Sequence, residues 1–112
     1  MSSIQKTEVQ EVSENISNAF NRFGLELPIS HNDIDNLSQL KIYLTGKLQH
    51  LLDNNFNLLV NTLYRIDVNE EKLNELFGSK NRTSIPEALA DLIIERQLQK
   101  IHFRKKYKEG NV

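Results

Sequence analysis

The 112-residue chain has no cysteine and no tryptophan. Without a thiol it can form no disulfide, thiolate metal site, iron–sulfur cluster or cysteine nucleophile. Its four glycines, at 24, 46, 78 and 110, are too dispersed to build a loop of bare backbone N–H groups around a phosphate. Nucleotide binding through a P-loop or dinucleotide fingerprint is thereby excluded. No uninterrupted apolar run exceeds three residues, and the start Met1-Ser2-Ser3-Ile4-Gln5-Lys6 has no apolar segment behind its lysine. We therefore expect neither a secretion signal nor a membrane span, and a cytoplasmic setting. The sequons at Asn15, Asn36 and Asn81 then read as chance in an asparagine-rich chain. Neither sign of charge dominates: 14 basic groups face 15 acidic ones, a net −1 that argues against a general polyanion binder. The charge is uneven, however, with four basic and seven acidic groups up to residue 60 and ten basic and eight acidic groups after it.

Apolar residues make up only 38% of the chain. A domain of this size buries roughly two-thirds of the surface that its unfolded chain exposes, which leaves room for burial against a partner. With only two prolines, and apolar residues recurring at steps of three and four almost throughout, the pattern specifies a single all-α domain. We expect a bundle of three long helices and one short one, over about residues 4–23, 34–66, 68–77 and 85–107.

Val9, Val12, Ile16, Ala19, Phe20 and Phe23 share about a third of the first helix's circumference, and Gly24 stands where a left-handed residue would end it. Leu25-Glu26-Leu27-Pro28-Ile29 reads as an extended strap whose apolar residues cover one end of the core, because Pro28 disfavours helix at Leu27. The next pattern runs from Ile34 through Leu40, Leu44, Leu48, Leu51, Phe56, Leu59 and Leu63 to Ile66. A straight helix of that length would span about 50 Å, against a radius of gyration of about 13 Å for a compact chain of this size. Asp53-Asn54-Asn55 are three poor helix formers at which the apolar stripe also rotates, so the expectation is one long helix kinked there. A short helix follows, with Asp67 as N-cap and Gly78 as terminator. Ser84-Ile85-Pro86-Glu87 is a Ser-x-x-Glu capping box with proline in the first turn, and opens the last helix.

Motifs for chemistry are sparse. The alternating Asp33 and Asp35 resemble a calcium loop, but Ser38 and Leu44 hold the positions where such a loop needs Gly and Glu. The two acids read better as first-turn complements to a helix dipole. His50 reads as an edge histidine hydrogen-bonded to Asp53 or water. Glu87, Asp91 and Glu95 recur at i, i+4, i+8 on the last helix, and read as a solvated stripe paired with bases such as Arg96 rather than as a metal or acid/base site. The compact Arg65 and Asp67 pair reads as a pin for the turn after the long helix. No cofactor is implied, and the chain reads as a non-enzyme.

The last helix is the informative element. Ile85, Ala88, Leu89, Leu92 and Ile93 form one stripe, which Phe103 and Tyr107 extend, and Ala90, Ile94, Leu98 and Ile101 form a second on the opposite side. A helix apolar on two sides is either central to its fold or covered by a partner, most simply a second copy in an isologous dimer. The rival reading is that the first helix covers Ala90, Ile94, Leu98 and Ile101 within one chain, using Val12, Ile16 and Phe20. The helix end is basic, and Arg104, Lys105, Lys106 and Lys108, interleaved with Phe103 and Tyr107, form a candidate nucleic-acid arm. The plainer reading of those bases is that they meet the helix dipole and solubilise the end.

The stretches Leu58-Leu59-Val60-Asn61-Thr62-Leu63-Tyr64-Arg65-Ile66-Asp67-Val68-Asn69-Glu70 and Ala90-Asp91-Leu92-Ile93-Ile94-Glu95-Arg96-Gln97 resemble small uncharacterised bacterial helical proteins. The resemblance covers about half the chain and implies an all-helical fold in a bacterial cytoplasm, with no activity and no functional residue to carry over. Three functions follow, in order: a non-enzymatic helical interaction protein that self-associates through the last helix, a nucleic-acid-associated protein using the basic end, and an enzyme with a carboxylate site around Glu87 and Asp91.

Overall fold

The computed structural model describes residues 7–27, 29, 34–78 and 84–110, with side chains through Lys106. The fold is all-α, with no strand among the described residues. The five helices among the described residues are α1 (Glu8–Arg22), α2 (Leu37–Asn54), α3 (Phe56–Arg65), α4 (Glu70–Phe77) and α5 (Ile85–Gly110).

Local chemistry sets the boundaries. Thr7 caps α1: its hydroxyl accepts from the Gln10 amide at 3.2 Å, while the Gln10 side chain accepts from the Thr7 amide at 3.0 Å. This capping box places the helix start later than the apolar pattern alone implied. Gly24 ends the helix with φ +89°, the left-handed conformation expected of it. The strap that follows is tied back onto α1. Ser17 Oγ donates to the Leu27 carbonyl and the Leu27 amide donates to Asn21 Oδ1 at 3.3 Å, with Leu25 and Leu27 buried and Ile29 half-buried.

Asn36 caps α2 by accepting from the Gln39 amide at 2.9 Å, and Gln39 Oε1 accepts from the Asp35 amide at 2.6 Å. Asp35 therefore precedes the helix instead of lying in its first turn, and Asp33 lies outside the described residues. The expected single kinked helix over 34–66 is instead two helices. Asn55 leaves helical geometry (φ −138°, ψ 48°) and separates α2 from α3 without a side-chain cap. Phe56, expected to face inward, is 48% exposed and meets the Phe77 ring edge-on at 5.9 Å.

The turn before α4 also differs from expectation. Asn69, not Asp67, is the N-cap, accepting from the Lys72 amide at 2.9 Å. Gly78 ends α4 in right-handed conformation, its amide donating to the Asn74 carbonyl at 3.0 Å. α5 begins at Ile85, directly after Ser84, as the capping-box sequence predicts.

α5 is the central element, packed against α2, α1 and α4. One core joins Val12, Ile16 and Phe20 of α1, Leu40, Leu44 and Leu48 of α2, Leu59 and Leu63 of α3, Leu73 of α4, and Leu89, Ile93 and Ile101 of α5. The molecule measures 50 × 32 × 24 Å with a radius of gyration of 14.9 Å. α5, with 26 residues at about 1.5 Å each, is the longest of the described helices.

Candidate functional site at the end of the last helix

α5 changes character along its length. Its first apolar side is buried as far as Ile93 and its second as far as Ile101. The second stripe is covered inside the single chain, with Ala90 and Ile101 fully buried, Ile94 7% exposed and Leu98 half-buried. The covering is the intramolecular one, by the cluster that includes Val12, Ile16 and Phe20. Ala90, Ile94 and Ile101 are therefore core in the folded chain, and Leu98 lies at the edge of that core. Gln97, on the same side, is also buried, and no buried side-chain polar atom among the described residues lacks a partner.

Beyond Ile101 every described residue, from His102 to Lys106, is exposed. The first stripe explains why. Ile85, Leu89 and Ile93 are buried and Leu92 is half-buried, but from there that side carries Arg96, Gln99 and Lys100, and Phe103, about three turns past Leu92, is 72% exposed. α4 and the turn before it are tied to α5 at Glu95 and Arg96. Lys72 Nζ lies 3.4 Å from Glu95, and Arg96 grips Asp67 twice, from Nε to the backbone carbonyl at 3.0 Å and from a terminal guanidinium nitrogen to the carboxylate at 2.7 Å. That grip holds Asp67 at φ +69°, a left-handed conformation in which Asp and Asn are the least disfavoured side chains after glycine. The same guanidinium, by its hydrogen bond first and its charge second, holds the Asp67 carboxyl below its ordinary range. Arg65, expected to pin this turn, instead places its guanidinium 5.5 Å from the Phe23 ring centre.

The basic end is partly neutralised from α1. His102 Nε2 lies 2.6 Å from Glu8 and an Arg104 guanidinium nitrogen 3.7 Å from Glu11. Lys105 and Lys106 are exposed, and the side chain of Lys108 lies outside the described residues. Two surface depressions adjoin on this side of α5. One, of about 680 Å³, is lined among the described residues by Arg96, Gln99, Lys100, His102, Phe103 and Lys106. The other, of about 340 Å³, shares Arg96 and Gln99 and continues to Tyr64, Asp67, Asn69 and Glu70 at the α3–α4 turn. The result is one cleft with a basic, aromatic end on α5 and an acidic end at the turn.

The carboxylate stripe is paired, though not with the bases expected. Asp91 meets Lys41 of α2 at 3.1 Å and Glu95 meets Lys72 of α4, while Glu87 is exposed. Asp91 and Glu95 thus act as inter-helix ion pairs. His50, expected to bond Asp53 or water, has its Nδ1 3.3 Å from the side-chain Nδ2 of Asn54, and Asp53 accepts from Gln49. Among the described residues no group of three or more His, Asp or Glu side chains is placed to hold a metal ion, and no helix is long and apolar enough to cross a membrane. Sequence reasoning missed Ile42, 73% exposed on α2, and the acidic end of the cleft, because Glu70 and Phe103 are brought to one surface only by tertiary packing.

No protein-family model, curated protein or solved structure matches the chain.

Proposed function

We propose that this is a non-enzymatic helical interaction protein that self-associates through the exposed end of α5. The observation that carries the reading is an exposed aromatic ring on the central helix: Phe103 stands 72% exposed, about three turns beyond half-buried Leu92 on the same side, with Arg96, Gln99 and Lys100 between them. An aromatic ring so placed gains by transfer from water, and aromatic residues are enriched at the buried centres of interfaces. The surface involved differs from the stripe of Ala90, Ile94, Leu98 and Ile101, which the chain itself buries.

Light scattering on the whole chain and on a chain ending at His102 tests the reading. Among the described residues the shortened chain loses none that is buried, and it keeps the His102–Glu8 contact, so it should fold. The expected result is concentration-dependent dimerisation of the whole chain and a monomeric shortened form. A whole chain that stays monomeric at high micromolar concentration refutes it.

One feature favours nucleic acid as a second reading: Phe103 is flanked by Lys100 and Lys106, an arrangement that suits stacking on a base beside phosphates. Against it, Glu8 and Glu11 lie on His102 and Arg104. We expect no binding of duplex or single strands at low salt. Binding with a log–log salt slope of about −0.9 per phosphate contact on duplex, reduced when Arg104, Lys105 and Lys106 become Gln, would establish the second reading.

A further inference from the structure

We infer that the partner at the end of α5 is a second copy of this chain, related by a two-fold axis, with the basic, aromatic end of each cleft seated on the acidic end of the other. The inference rests on the self-association reading and adds to it the contact surface and its register.

Three observations carry it. First, the two ends of the cleft are opposite in charge and joined through Arg96 and Gln99, with Lys100 and Lys106 on the α5 side and Glu70 at the α3–α4 turn. A surface that carries both signs at its two ends is complementary to itself when turned by 180°, which is the requirement of an isologous contact. Second, each end carries an exposed aromatic ring, Phe103 at 72% and Tyr64 at 40%, so that the rotation brings Phe103 of one copy towards Tyr64 of the other and Lys106 towards Glu70. Third, the stretch of α5 before Phe103 presents Arg96, Gln99 and Lys100 on this face, so charge and the two aromatic rings set the contact. The stretch of α5 concerned, Arg96 to Lys106, is about 15 Å long at 1.5 Å per residue, which marks a weak, salt-sensitive association.

Charge-swap variants read by sedimentation velocity decide the matter. Glu70, Phe103 and Lys106 are all exposed, so Glu70→Lys, Phe103→Ser and Lys106→Glu should keep the helical circular dichroism of the parent. Each single variant should raise the concentration for half-association about tenfold or more, because the two-fold axis repeats every repulsion. Mixing Glu70→Lys with Lys106→Glu should restore association in a heterodimer, since both cross-contacts then join opposite charges. The double variant should likewise return to within about threefold of the parent. If the parent associates but neither the mixture nor the double variant recovers, this register is overturned while self-association stands. A parent that remains monomeric overturns both.

Discussion

Gly24 and Gly46 form a paired test of the helical reading, because a methyl group added at either would meet no atom within 4 Å. Sterically the two replacements by alanine are alike, so only backbone conformation separates them. Gly46 is exposed near the middle of α2, in ordinary helical geometry. There, glycine costs about 0.8–1.0 kcal/mol relative to alanine through the backbone freedom it loses on folding. Gly46→Ala should therefore stabilise the protein by about 1 kcal/mol. Gly24 has φ +89°, where a Cβ crowds the following carbonyl at a cost of roughly 1–2 kcal/mol. Gly24→Ala should destabilise by that amount. For a chain of this length 1 kcal/mol moves the melting temperature by about 4 °C, and the urea midpoint by about 0.3–1 M. Circular dichroism melts and urea titrations of the two variants against the parent should thus move in opposite directions. If both variants shift the same way, the assignment of Gly46 to a helix interior or of Gly24 to the left-handed cap is wrong.

The core supplies a second expectation: Leu48 and Leu63 are fully buried, so truncating either to Ala should cost about 2–5 kcal/mol, and unchanged urea midpoints would remove both from the core. Ile94→Glu with Leu98→Glu should abolish cooperative thermal unfolding, since the face they share is internal; a folded, helical variant would restore the intermolecular reading of that face. Asp67 gives a pH dependence. Its carboxyl is lowered from an ordinary value of 3.8 by Arg96, so its contribution is present above that value and lost as pH falls through the lowered one. Asp67→Asn tolerates the positive φ and removes only the charge; the stability gap between parent and variant should be widest near about pH 6 and close below about pH 4, and a gap that widens on acidification contradicts the pairing.

Much of the fold was legible without the structure, and all of that part is local. Steps of three and four in apolar residues specify helices because the helical period places those residues on one face. Gly24, the Leu25–Ile29 strap and the start of α5 at Ile85 follow from backbone rules that act within a few residues. Three further starts follow equally local rules but rest on Thr7, Asn36 and Asn69, caps that are easily passed over in a chain rich in polar residues.

Tertiary structure decided the rest. Periodicity reports that a face is apolar, but not what lies against it: the Ala90, Ile94, Leu98 and Ile101 stripe reads the same whether α1 or a second copy covers it, and it is packing within the chain that buries Ala90, Ile94 and Ile101. The same holds for Phe103, whose place in the pattern gives no sign that its ring is left 72% exposed. Poor helix formers at residues 53–55 mark a weak point, yet whether it bends or breaks depends on competing burial on either side. Partners such as Asp67 and Arg96, 29 residues apart, are set by how helices pack, and sequence spacing carries no trace of that distance. The one-dimensional pattern thus determined which segments are helical and which faces are apolar, while the choice of neighbour for each face, and with it the site at the end of α5, belongs to long-range packing alone.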